Sequence, residues 1–109
     1  MKFGLDENTI EQIKAVFVSF PEIEEAVLYG SRAKGNFKNG SDIDLTLKGE
    51  NISYSTLNNI SLSLDDLMLP YMIDLSIYKQ IDNPDLIDHI TRVGVCFYRK
   101  IDLSKEKNS

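Results

Sequence analysis

The chain is poor in cysteine, in positive charge and in long apolar runs. Cys96 is the one cysteine among 109 residues, which excludes an internal disulfide. It lies in the apolar run Val95-Cys96-Phe97-Tyr98 and is expected to pack rather than react, with the cytosol as the expected compartment. Lys and Arg number 12 against 17 Asp and Glu, a formal net charge of -5. Non-specific binding to a nucleic-acid backbone needs clustered basic side chains, so a polynucleotide substrate is disfavoured. No apolar run approaches the roughly 18 residues of a membrane span, and the N-terminus lacks the basic and apolar regions of a signal peptide. No membrane partner is expected. The composition is otherwise that of a globular protein, 42% apolar and 27% charged. A chain this short is expected to bury about two thirds of its unfolded surface, which allows one core and is too small for a second, substrate-binding domain.

The periodicities divide the chain into alternating elements. Ile10, Ile13, Phe17 and Phe20 recur at helical spacing behind Asp6 and Glu7, and Pro21 stops them, which predicts an amphipathic helix over 6–20. Ala26-Val27-Leu28-Tyr29 reads as a buried strand running into a tight turn at Gly30. From Asp42 to Leu47 the pattern alternates: Asp42, Asp44 and Thr46 share one face while Ile43, Leu45 and Leu47 share the other. Leu57, Ile60, Leu64 and Leu67 mark a second helix ended by Pro70. Residues 72–78 alternate again, with Asp74 and Ser76 opposite Ile73, Leu75 and Ile77. Asn83-Pro84 reads as an N-cap with proline at the first helical position, and Leu86, Ile87, Ile90 and Val93 give a stripe that stops at Gly94. Residues 95–98 form a short edge strand or extended segment. This order predicts one α/β domain over residues 1–100, with helices covering the apolar face of a small mixed sheet, and a polar C-terminal tail over 101–109.

Gly30-Ser31-Arg32-Ala33-Lys34-Gly35 and Ser41-Asp42-Ile43-Asp44-Leu45 bring a phosphate cradle next to two carboxylates, with ten residues between Ser31 and Asp42. Side chains two apart on a strand share a face at about 6.5 Å between alpha carbons. Asp74, on the matching face of another strand, would complete an oxygen-rich set suited to Mg2+, which favours carboxylates together with phosphates and water. Without metal the cluster would repel itself and raise its own pKa values. Gly30 lets the backbone approach a phosphate, and Ser31 offers a hydroxyl and an amide. Either Arg32 or Lys34 could neutralise a pyrophosphate leaving group. Gly-Ser alone is ordinarily a loop, and Asp-x-Asp alone is ordinarily a solvated strand face. Their joint occurrence at this spacing, with Asp74, reverses both readings in favour of nucleotidyl transfer. His89, beside the apolar stripe of the last helix, is read as a surface residue, and Tyr29 and Tyr78 as core or sheet-rim residues.

These motifs closely resemble the minimal nucleotidyltransferase family of the DNA polymerase beta superfamily, over residues about 6 to 98. The resemblance implies the nucleotidyltransferase palm fold, two Mg2+ ions and ATP as donor. Gly30 and Ser31 would then grip phosphate, and Asp42, Asp44 and Asp74 would form the metal triad, Asp74 as attacking-side ligand or general base. Lys34 stands where the family often has arginine, keeping the charge but not the bidentate fork. Members of this size resemble the antitoxin half of a type VII-like toxin–antitoxin module, whose HEPN-domain toxin would receive AMP on a tyrosine. Two other readings follow from the same resemblance: a non-catalytic module that neutralises the toxin by occlusion, and a homodimeric nucleotidyltransferase acting on a small molecule such as an aminoglycoside.

Overall fold

Asp6 starts the first helix because its carboxylate accepts the Thr9 amide at 2.7 Å, an N-cap that satisfies one of the unpaired donors of the first turn. In this computed structural model, which describes residues 2–101, the helix that follows is α1 (Glu7–Val18). The chain then forms β1 (Glu25–Tyr29), the short helix α2 (Gly30–Lys34), β2 (Ile43–Lys48) and α3 (Tyr54–Asp65). Next come β3 (Ile73–Ile77), a 3-10 turn at Tyr78–Gln80, α4 (Pro84–Val93) and β4 (Val95–Arg99). Ser53 caps α3 by accepting the Thr56 amide, and the Asn83 side chain caps α4 by accepting the amides of Asp85 and Leu86. The first and last expected helices begin at or within a residue of their caps, while α3 starts three residues before Leu57, the first residue of its expected stripe. The first stops two residues short of Phe20, and α3 stops before Leu67.

The sheet order is β3-β2-β1-β4. β1 pairs antiparallel with both β2 and β4, while β2 and β3 pair in parallel through the α3 crossover, as a parallel pair requires. Alternation then divides the sheet into two faces. Ala26, Leu28, Ile43, Leu45, Leu47 and Ile77 join Ile13 and Phe17 of α1 and Ile60 and Leu64 of α3 in the main core. Each fully buried leucine or isoleucine there is worth about 1.5–3 kcal/mol relative to exposure.

Helices α1 and α3 thus cover the apolar face as expected, and the opposite face is not bare either. Val27 and Tyr29 of β1 are buried beneath Ile90 of α4, with Leu86, Val93, Tyr78 and Ile81 packed around them. The strand reads as an uninterrupted apolar run because β1 is covered on both faces, unlike its neighbour β2. Cys96 differs from expectation. A register shift in the β1–β4 pairing sets Val27 opposite Cys96, and the side chains of β4 then place Phe97 in the core and the thiol at the exposed surface. Partial burial, and after it the Glu25 carboxylate, push the Cys96 thiol up, which keeps it protonated. Of the expected polar tail, residues 102–109 lie outside the described residues.

Candidate active site

The end of β1 delivers the chain into the Gly30 turn beside the acidic half of the sheet. Tyr29 is paired with Asp44, so the next residue, Gly30, sits against that carboxylate. Its φ of +75° is in the left-handed region, and a Cβ built there would collide with Asp44 Oδ2. Glycine is therefore demanded twice, by the backbone and by the close approach of the carboxylate. Ser31 follows in α2, which Gly35 ends with a φ of +89°.

On its other side Asp44 is in register with Asp74 of β3, and Thr46 is in register with Ser76. Adjacent strands lie about 4.8 Å apart, so the parallel pairing sets Asp44 and Asp74 side by side on one face. Asp42, two residues before Asp44, is exposed at the mouth of this face. The electrostatics follow from that grouping. Burial, then the charges of Asp74 and Asp42, hold the Asp44 carboxyl above its ordinary range. Tyr29 is pushed up as well, first by burial and further by Asp74 and Asp44, against a lowering from the nearby Ser76 hydroxyl. That hydroxyl is buried and makes no full hydrogen bond among the described residues, so the Ser76 influence on Tyr29 is a close approach rather than a formed bond.

Among the described residues, no three His, Cys, Asp or Glu side chains are grouped tightly enough to hold an ion by themselves. Magnesium does not need such a cage, since it binds through one or two carboxylates with substrate phosphate and water completing the shell. The donor set fits that requirement. It is all oxygen, its central member carries an uncompensated charge penalty, and the glycine against it leaves the approach open.

The basic residues separate into two roles. Lys34 is exposed on α2. Arg32 is only 2% exposed. Its Nε and Nη2 donate to the Ser41 carbonyl at 3.0 and 2.8 Å, and its Nη1 donates to the Phe3 carbonyl at 2.7 Å. The guanidinium also lies over the rings of Phe37 and Tyr71, 5.3 and 5.0 Å from their centroids. Ser41 immediately precedes Asp42, so Arg32 ties the glycine-serine turn to the start of the acidic strand. This differs from the expected part in neutralising a leaving group. The physical reason is that the planar fork finds two carbonyls and two aromatic faces inside the protein, a setting that only arginine satisfies.

One residue of the site escaped the sequence reading. His89 Nε2 accepts the Gly30 amide at 3.1 Å, across 59 residues, and its ring stands edge-on to Tyr29 with centroids 6.1 Å apart. The residue is half-buried rather than a solvated surface histidine. Its place next to Ile90, the buried residue of α4, is the signal that marked it as facing the sheet.

A parallel β2–β3 pair carrying registered carboxylates, with a glycine-serine turn against one of them, defines a nucleotidyltransferase type of site. Residues 11–102 match the family described as polymerase beta, nucleotidyltransferase, and the chain belongs to that family. No curated protein sequence matches it. Among solved structures, a chain of a toxin–antitoxin complex with AMP-PNP superposes with a TM-score of 0.66 at 18% identity, covering 88% of this chain and 75% of that one. A chain from the complex of a tri-AMPylated Shewanella oneidensis HEPN toxin with its MNT antitoxin gives 0.64 at 12% identity, covering 95% and 78%. The MntA-HepT toxin–antitoxin complex gives 0.64 at 13%, covering 87% and 74%. At these identities the likeness is one of fold.

Proposed function

We propose that this chain transfers AMP from ATP, with magnesium, to a tyrosine of a HEPN-domain toxin partner, as the antitoxin of that pair. The observation that carries the reading is the side-by-side register of Asp44 and Asp74, with Gly30 pressed against Asp44. Asp42 and Asp44 would hold the metal, and Asp74 joins them or serves as general base. Bound magnesium supplies neutralisation of phosphate charge and alignment of the reacting oxygens. The remaining chemistry falls to the chain. The Gly30–Ser31 turn receives the terminal phosphates of ATP, and exposed Lys34 meets the charge that builds on them. The acceptor phenol bonds to the α-phosphorus as the bond from that phosphorus to the bridging oxygen breaks. Pyrophosphate leaves, and the phenolic proton passes to a carboxylate of the acidic face, with Asp74, the exposed member on β3, best placed to take it.

Two of the neighbours support the choice of donor and acceptor, because one complex contains AMP-PNP and another an AMPylated HEPN toxin. The test is intact-mass measurement of the HEPN partner after incubation with ATP and magnesium. Wild-type chain is expected to add AMP mass, and the Asp42→Asn, Asp44→Asn double variant to add none. Identical partner masses with both proteins would refute the reading.

A further inference from the structure

β1 ends at Tyr29, the last residue of its ladder with β2, so the Gly30 amide has left the sheet without a strand partner. A backbone donor at the base of a half-buried turn needs an acceptor, and leaving it without one costs more than the net worth of the bond. The acceptor comes from α4, where His89 Nε2 takes the Gly30 N–H at 3.1 Å. Three further features hold the ring in that orientation. The adjacent Ile90 is buried against Val27 and Tyr29, the imidazole meets the Tyr29 ring edge-on, and Asn83 and Pro84 fix the start of the helix. To accept at Nε2 the ring must be neutral with its proton on Nδ1. Gly30 is thus clamped from two sides: its amide is held by His89, and its alpha carbon lies against Asp44. Any residue but proline could offer that amide, but a side chain at position 30 would collide with the Asp44 carboxylate.

We propose that His89 is a positioning residue for the phosphate turn: by accepting the Gly30 amide it fixes the backbone that presents Ser31 to ATP, and so couples α4 to nucleotide binding. The inference rests on the nucleotidyl-transfer reading of the site. His89 touches the turn and not the reacting atoms, so its effect falls on the affinity for ATP more than on the rate of the chemical step. An acceptor at the same place should restore the turn, and glutamine offers one through its side-chain carbonyl.

The experiment compares wild type, His89→Ala and His89→Gln in two ways. Amide hydrogen exchange of the nucleotide-free chain needs no activity. Gly30 is expected to exchange on the order of tenfold faster in His89→Ala and near the wild-type rate in His89→Gln, with Ile13 and Phe17 of α1 unchanged. Because the chain has a single histidine, the imidazole nitrogen resonances of wild type report one ring, and they should show Nε2 unprotonated. In AMP transfer, His89→Ala should raise KM for ATP on the order of tenfold with kcat changed less than threefold, and His89→Gln should recover most of that loss. Unchanged Gly30 exchange in His89→Ala, or equal impairment of the alanine and glutamine variants, would overturn the proposal. Wild type that transfers no AMP would instead defeat the nucleotidyl-transfer reading, while the exchange result would still decide whether His89 holds the turn.

Discussion

Asp44 and Leu45 are consecutive residues of β2 and belong to different regions of the molecule. Leu45 is fully buried in the main core with Ile13, Phe17 and Ile60, where apolar side chains pack densely. Asp44 points to the other face, where a partly buried carboxylate stands next to two more and opposes folding when ionised. The same alternation thus assigns stability to one face and chemistry to the other. The second face tolerates its charge because only half of it is roofed: α4 covers Val27 and Tyr29 on β1 and leaves the side of β2 and β3 that carries Asp42 and Asp74 open. A strand with this division can gain stability from any change that silences its function.

The largest expected effect separates the two regions outright. Asp44→Asn should reduce AMP transfer about 1,000-fold, the scale for losing a group that stabilises transition-state charge, while raising the melting temperature of metal-free protein at neutral pH. The sign follows from its raised folded pKa. Below the unfolded value near 3.8 the protonated group contributes its full share of stability, and that share is lost as pH rises through the folded pKa. The stabilising effect of Asp44→Asn should therefore be absent at the acid end of that window and grow as pH rises, which melting curves across the range would check. Leu45→Ala should do the reverse. Emptying a fully buried site costs about 2–5 kcal/mol in a urea titration, with transfer per folded molecule nearly retained.

Arg32→Lys sharpens the comparison at the seam between the regions. A lysine cannot reproduce the fork to the Ser41 and Phe3 carbonyls, so about 1–3 kcal/mol of stability should be lost. Transfer should fall with it, because the segment leading to Asp42 loses its anchor. Parallel urea titration and transfer assays would read both. The smallest effect lies away from the site. Ser53→Ala removes the cap of α3 and should cost about 1 kcal/mol in the same titration without altering transfer.

Much of the fold was legible because its signals are local. The alternation of β2 and β3 announced which face each aspartate takes, and the side chains of Asp6, Ser53 and Asn83 close the first turns of their helices. The Gly30-Ser31 turn and the acidic strand were readable for the same reason, since their spacing is a property of one continuous segment. The remainder depends on contacts between distant segments. Arg32 reads as one more basic residue near a phosphate turn until Phe3, Ser41, Phe37 and Tyr71 are folded around it. His89 lies 59 residues from the amide it accepts, and helical periodicity gives the stripe of α4 but not which face of the sheet that stripe will meet. Cys96 looked buried because an apolar run does not reveal a register shift against the neighbouring strand.

The most direct test follows transfer of label from ATP, radioactive at its α-phosphate, to the HEPN partner by wild type, Asp44→Asn and Leu45→Ala, with each melting temperature measured on the same preparations. The account predicts that Asp44→Asn is the more stable and the inactive variant, and that Leu45→Ala is the less stable and, per folded molecule, the active one. Label transfer that simply followed stability across the three proteins, with Asp44→Asn as active as wild type, would contradict it.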